Sequence, residues 1–243
     1  MTSTLGYIET SSPPRQSTIC HRPHRPAIKL LNHLLPHIDL RPNIYIYTPK
    51  SKIMGLTVHH LQISQSERVP WLCEELGIDY ELVKHQRDPF LSPQSIKDLN
   101  PIGQAPVIQD GDVTLPESAA APVINDGDLT IAESGACLEY IDNKYGGGKF
   151  TVKPDAPNYA DYLFWWHWSN GTLQPLIGRY VAASKNPDPN NMMYKYVVDK
   201  YERCMKLLND RLGKVDYLSG SEPTLPDFMI VYTLSTGRYF NSY

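Results

Sequence analysis

The 243-residue chain predicts an α/β N-terminal domain of order βαβ–ββα followed by an all-α helical domain. Three observations carry that expectation. Residues 56–84 read as strand, amphipathic helix, strand. An Asp-Gly hairpin pattern then runs into a helix near residue 134. Beyond residue 157 only helical periodicity remains.

The first strand is Leu56-Thr-Val-His-His60. It leads into Ser64-Gln-Ser-Glu67, which has the S-x-x-E spacing of a helix capping box. Val69, Leu72, Cys73 and Leu76 then recur at helical spacing, and Gly77 ends the helix. Pro70 falls near the first turn, where a missing N–H costs least, although counting from Ser64 it sits deep enough to bend the helix. Tyr80–Lys84 alternates as a second strand, and so short a crossover makes the two strands parallel. A proline-rich stretch follows with one short helix at Pro93–Leu99.

Next comes a tandem duplication. Ala105–Ala120 reads APVIQDGDVTLPESAA and Ala121–Ala136 reads APVINDGDLTIAESGA, identical at eleven of sixteen positions. Each block reads as strand, Asp-Gly turn, strand and Glu-Ser at a helix start. Two copies are too few for a solenoid. Only the second runs into a helix, with Ser134 as its cap and Cys137, Leu138 and Ile141 on its apolar face; the first meets Pro122. The expectation is therefore that the second copy completes the sheet and the first is looped out, the alternative being that both copies pair. Gly146–Pro157 is linker. A long aromatic helix from Asn158 to Val181 follows, then Tyr194–Leu212 capped by Gly213, then a last helix from Thr224.

Composition excludes several function classes. A net charge of −3 is not that of a nucleic-acid binder, and no apolar run approaches the roughly 18 residues a membrane span needs. Cys20, Cys73, Cys137 and Cys204 form no C-x-x-C pair, so neither zinc nor a disulfide framework is expected and a reducing compartment is. His59 and His60 are adjacent on a strand, point to opposite faces and cannot jointly hold a metal. Residues 1–53 carry a net +5 and are rich in Ser, Thr, Pro and His; they read as a disordered leader, with a mitochondrial transit peptide as the lesser alternative because four prolines interrupt any amphipathic helix. Met54 is an alternative start.

In both order and residues the chain resembles the glutathione S-transferase superfamily, in its microbial, serine-type form. Leu56-Thr-Val-His-His-Leu with Ser64-Gln-Ser-Glu-Arg-Val and Trp71-Leu-Cys-Glu-Glu-Leu-Gly looks like the family's opening. Asn100-Pro-Ile-Gly-Gln-Ala-Pro-Val resembles its loop before a cis-proline strand. Glu133-Ser134 and Ala136-Cys-Leu-Glu-Tyr-Ile141 look like its glutathione-binding turn and third helix, and Thr224-Leu-Pro-Asp227 like the capping box of a late helix. The resemblance covers Leu56 to the C-terminus, where the chain stops earlier than family members do. It implies a thioredoxin-like domain over 54–145, a linker over 146–157 and a helical domain over 158–243.

What the resemblance implies for chemistry follows residue by residue. Glutathione's thiol, with a reference pKa of about 8.5, is mostly protonated at neutral pH, and its attack on electrophiles needs the thiolate. Ser64, four residues before Arg68, is the catalytic candidate, offering a hydroxyl at a helix N-terminus; Ser66 is the competitor, and a plain helix cap is the ordinary fate of either. Glu133 and Ser134 take the γ-glutamyl end. Ala121 before Pro122, or Ala105 before Pro106, pairs its backbone with the cysteinyl part. Two positions before the proline, copy one offers the polar Gln104 and copy two only Ala120. Phe164, Trp165, His167 and Trp168 are candidates for a second-substrate pocket, with interdomain core as the competing role. The expected function is conjugation of glutathione, as co-substrate and without metal, to small hydrophobic electrophiles in cytoplasmic detoxification by a homodimer. The alternatives are a glutathione-dependent isomerase or peroxidase, or a non-catalytic glutathione-binding module.

Overall fold

The computed structural model describes residues 55–88, 91–111 and 129–240. The leader, Met54, and Ala121–Pro122 of the second copy lie outside the described residues.

Strand β1 (Leu56–Leu61) pairs in parallel with β2 (Glu81–His85) and antiparallel with β3 (Val107–Asp110), which pairs antiparallel with β4 (Leu129–Ala132). The sheet order is β2-β1-β3-β4. Between β1 and β2 run a 3-10 turn (Gln65–Glu67) and helix α1 (Arg68–Leu76). The 3-10 turn relocates Pro70 to the third residue of α1, inside the first turn, where its missing N–H has no intrahelical partner to lose. Val69, Leu72 and Cys73 are buried as the stripe predicts, and Gly77 closes the helix at φ 66°, a left-handed conformation that suits glycine. The short helix α2 (Gln94–Lys97) and helix α3 (Ser134–Lys144) complete the α/β layer.

The duplication resolves in a way that corrects the expectation. The sheet takes β3 from the first copy and β4 from the second. The loop before it explains the first choice. Asn100 donates from Nδ2 to the Gln104 carbonyl at 3.0 Å and accepts from the Ile102 N–H at 3.2 Å, while Ser92 donates to the Gly103 carbonyl at 2.5 Å. That clamp delivers Ala105 and Pro106, joined by a cis peptide bond, directly to the edge of β1. The second choice follows from continuity with α3, whose Cys137, Leu138 and Ile141 lie fully buried against the sheet.

The linker is bound rather than free. Buried Asp142 accepts from the Phe150 N–H at 3.1 Å and the Thr151 hydroxyl at 2.7 Å. Gly146 leaves room for Leu76, whose Cδ2 would lie 2.6 Å from any Cβ placed there. Beyond it, α4 (Tyr159–Trp168) passes through a π-helical turn (Ser169–Leu173) into α5 (Gln174–Lys185). Helices α6 (Met192–Leu212) and α7 (Leu225–Phe240) follow. Gly213 ends α6 with φ −72°, in the ordinary right-handed region instead of a left-handed cap. At the start of α7, Asp227 accepts from the backbone N–H groups of Thr224 and Leu218, both at 2.9 Å.

One core runs through both halves. Leu56, Val58 and Ile108 of the sheet, Leu72 of α1 and Leu138 of α3 join Trp165, Leu173, Leu212 and Phe228 of the helical region. Trp71 and Phe150 pack on the Phe228 ring with centroids 4.2 and 4.8 Å away. This shared core fixes α7 against α1 and so brings residues of the helical region to the N-terminal end of α1.

Candidate functional site

Two strand-to-helix turns converge at that end. Among the described residues, Ile63 (φ 47°) and Glu133 (φ 76°) are the non-glycine residues with positive φ. Each stands immediately before a site serine, Ser64 or Ser134. A β-branched residue in the left-handed region is costly, on the order of 1–3 kcal/mol, and such outliers cluster where backbone geometry serves a site.

Ser64 caps the 3-10 turn, its Oγ accepting from the Ser66 N–H at 3.2 Å. Its hydroxyl lies 2.6 Å from that of Ser66. Ser66, fully buried, also accepts from the Leu61 N–H at 3.1 Å and lies 2.9 Å from His60 Nδ1. His60, Ser66 and Ser64 thus form a hydroxyl chain running from β1 to the turn. Burial, with Lys84 and His85 nearby, pushes the His60 pKa down to about 4, so the ring is neutral at physiological pH. A neutral imidazole presents Nδ1 either as donor or acceptor, so the chain can carry its protons in either direction.

The second turn places Ser134 as first residue of α3, one position inside the expected cap, which Glu133 occupies. Ser134 is buried, whereas Glu133 is exposed. Arg68 joins the two turns. Its Nη1 donates to Ser134 Oγ at 3.0 Å and to Gln65 Oε1 at 3.3 Å, and its Nη2 donates to Gln174 Oε1 of α5 and Thr233 Oγ1 of α7. Gln174 Nε2 in turn donates to Gln65 Oε1 at 2.7 Å. Arg68, Gln65 and Ser134 come from the α/β layer, while Gln174 and Thr233 come from the helical region. Sequence spacing singles out Arg68 only as a position. Gln174 and Thr233 carry no local signal at all, since only tertiary packing brings them here.

The remaining candidates divide. Gln104 has an exposed side chain and a carbonyl held by Asn100, and Ala105 is buried beside Leu61 and Ile96 at the cis peptide bond. The four aromatic candidates do not share one surface. Trp165 and Trp168 are buried in the core with ring centroids 5.1 Å apart, which corrects their assignment to a pocket wall. Phe164 is 49% exposed and His167 lies on the outer side of α4. The helix simply turns adjacent residues to different faces.

The described cysteines offer no reactive thiol. Cys73, Cys137 and Cys204 are buried; burial pushes the Cys137 thiol up to about 12 and the Cys73 thiol higher still. His59 bonds His85 and Gln109, while His60 bonds Ser66, so the two rings do lie on opposite faces. Among the described residues no group of three potential metal ligands occurs, and no helix is long and apolar enough to cross a membrane.

Comparison with known proteins agrees with this geometry. A family profile described as glutathione S-transferase, N-terminal domain, matches residues 64–144. Glutathione S-transferase 3 of Schizosaccharomyces pombe is 25% identical over 185 residues, covering 71% of this chain and 70% of that protein. Glutathione S-transferase 1 of Saccharomyces cerevisiae is 26% identical over 157 residues, covering 61% of this chain and 62% of that one. Among solved structures, a glutathione S-transferase of Actinobacillus pleuropneumoniae superposes with a TM-score of 0.63 at 24% identity, covering 77% of this chain and 80% of that one. The glutathione transferase URE2P6 of Phanerochaete chrysosporium, solved in complex with oxidized glutathione, has a TM-score of 0.56 at 21% identity, covering 76% and 80%.

Proposed function

From the chain's membership of the glutathione S-transferase superfamily, we propose that it binds glutathione at the Ser64–Ser134 turns and transfers the thiolate to small hydrophobic electrophiles. The observation that carries this reading is the pair of strained turns, each presenting a serine, joined through Arg68. In this reading residues 54–145 bind glutathione, 146–157 link, and 158–243 flank the electrophile.

The chemistry follows from donor and acceptor roles. A thiolate beside Ser64 is an acceptor only, so the Ser64 hydroxyl donates to it. Ser64 Oγ then accepts from Ser66, and Ser66 accepts from His60 in its Nδ1–H tautomer. Each link favours the anion through a hydrogen bond to a charged group, which lowers the thiol pKa toward neutrality. The thiolate sulfur attacks the electrophilic carbon, forming the C–S bond as the leaving group departs or a π bond takes up the electron pair. At the other end, the Ser134 hydroxyl and the N–H groups opening α3 take the γ-glutamyl carboxylate, and exposed Glu133 takes its ammonium. Ala105, ahead of the cis bond, supplies the backbone pairing for the cysteinyl part, with Gln104 beside it. Phe164 and His167 remain as exposed candidates toward the electrophile. The absence of an accessible thiol among the described residues favours serine-type thiolate chemistry over a cysteine-based redox cycle. Homodimerisation and a cytoplasmic location complete the reading.

The test is the ultraviolet thiolate absorbance of bound glutathione across pH. Ser64→Ala should raise the apparent thiol pKa by about one unit, as expected for a lost charge-assisted hydrogen bond. An unchanged titration in the variant would remove Ser64 from catalysis. Binding with no thiolate at neutral pH in the unaltered chain would favour a non-catalytic glutathione-binding module instead.

A further inference from the structure

Arg68 is 1% exposed, yet among the described residues none of its hydrogen bonds goes to a carboxylate. Its four acceptors are two amide oxygens and two hydroxyls, and its Nε has no partner at all. Only the adjoining Glu67 and the Tyr232 hydroxyl, whose ring it faces at 5.5 Å, favour its charge electrostatically. A guanidinium taken out of water without a paired anion is costly, and such groups are ordinarily compensated. Burial lowers its pKa only to about 10, so it stays charged at neutral pH.

Its chemistry also constrains its neighbours. Arginine donates and never accepts. Ser134 Oγ must therefore accept from Arg68, which leaves the Ser134 proton for another group. Gln65 Oε1 accepts from both Arg68 and Gln174, which fixes the amide orientation and leaves the Gln65 Nε2 protons outward of the network. One side chain thus sets two donors for an anion, and residues of α5 and α7 hold that side chain in place.

We propose that Arg68 is the positioning residue of the glutathione site: its fork aims the donors of Ser134 and Gln65 at the γ-glutamyl carboxylate, and its buried charge awaits that carboxylate as counter-ion. The proposal rests on the functional reading above and adds to it a coupling between the helical region and carboxylate recognition.

Calorimetric titration of the full chain tests it with two ligands, glutathione and γ-aminobutyryl-cysteinylglycine, which keeps the ammonium and thiol but lacks the α-carboxylate. Arg68→Met should weaken glutathione binding about 50-fold, within the range of a lost charge-assisted contact, and change binding of the analogue less than about threefold. Arg68→Lys keeps the charge and loses the fork; it should weaken glutathione about tenfold, and adding Ser134→Ala should then cost far less than it does in the unaltered chain. Equal losses on both ligands, or none, overturn the proposal, since a merely structural arginine would not distinguish the carboxylate. If Arg68→Met loses its cooperative thermal transition, the lysine variant gives the same comparison. Failure of the unaltered chain to bind glutathione sinks the functional reading itself, before any variant is made.

Discussion

Ser66 shows how much a single hydroxyl can carry here. It satisfies the Leu61 N–H, lies between Ser64 and His60, and is wholly buried. Ser66→Ala should lower stability by about 1–3 kcal/mol, because the Leu61 donor is left unpaired, and should also raise the thiol pKa of bound glutathione. Chemical denaturation and the thiolate titration read the two effects separately; a variant that loses stability alone would confine Ser66 to a structural role. His60 gives a pH signature of definite sign. Its folded pKa, about 4, lies below its unfolded value of 6.5. The unfolded chain therefore binds the extra proton first, and stability falls as pH drops from about 6.5 to 4. Asp227 opposes it, since burial raises its pKa to about 6, and its contribution falls as pH rises from about 4 to 6. Denaturation midpoints of the unaltered chain minus those of His60→Gln cancel the Asp227 slope. That difference should grow toward neutral pH, by about 2–3 kcal/mol in all, and a flat difference would show that His60 titrates normally. At this scale the sequence was only partly legible. Ser64 and Ser134 are visible because each precedes an apolar stripe. Ser66 is not separable from Ser64 by spacing, since both flank a tight turn whose side-chain directions depend on the positive φ at Ile63.

At the scale of elements, helix α3 matters most because it carries Ser134 at one end and is pinned at the other. Buried Asp110 of β3 accepts from Lys144 Nζ at 2.7 Å, Tyr140 at 2.8 Å and Tyr145 at 2.7 Å. Asp110→Asn removes the charge and turns one acceptor into a donor facing donors. We expect a loss of about 2–4 kcal/mol, near the upper range for a broken buried pair because Lys144 can still partly reach water. Differential scanning calorimetry checks this, and a loss under 1 kcal/mol would mean that α3 is held by its apolar face alone. Periodicity predicts α1, α3 and α6 well because each buries one stripe against one core. It misses the break in the aromatic run 158–181, where a π-helical turn at Ser169–Leu173 separates α4 from α5. The same run defeats pocket assignment. A helix rich in aromatics on several faces gives no periodic clue to which ring is core, and packing against Tyr162, Leu173 and Phe228 decides for Trp165 and Trp168.

On the scale of the whole molecule, the duplication is the test of how the fold tolerates its own sequence. Two nearly identical blocks compete for one place in the sheet, and local pattern cannot rank them because the strand signals are the same in both. The register decides. Asp110 pairs with Leu129, so the sheet aligns as though only Gly111 and Asp128 lay between its two antiparallel strands, the spacing of a two-residue hairpin. The sixteen residues 112–127 are one repeat length, inserted at the turn without shifting the pairing. Their removal joins Gly111 to Asp128 and rebuilds one intact block, APVIQDGDLTIAESGA, with every inward residue on its present face. A chain lacking 112–127 should therefore keep β3 and β4 in the same register. Shortening the closed loop from about 18 residues to 2 should, on loop-closure entropy alone, add about 2 kcal/mol of stability and several degrees in Tm. Hydrogen exchange of the Ile108 and Ile131 amides, with thermal unfolding and glutathione titration alongside, makes the comparison. Equal or greater protection with glutathione affinity within about twofold supports an insertion that leaves the site intact. Loss of protection at β4 would show that residues 112–127 take part in holding the sheet, and a large gain in affinity would show that they obstruct the site beside Ala105.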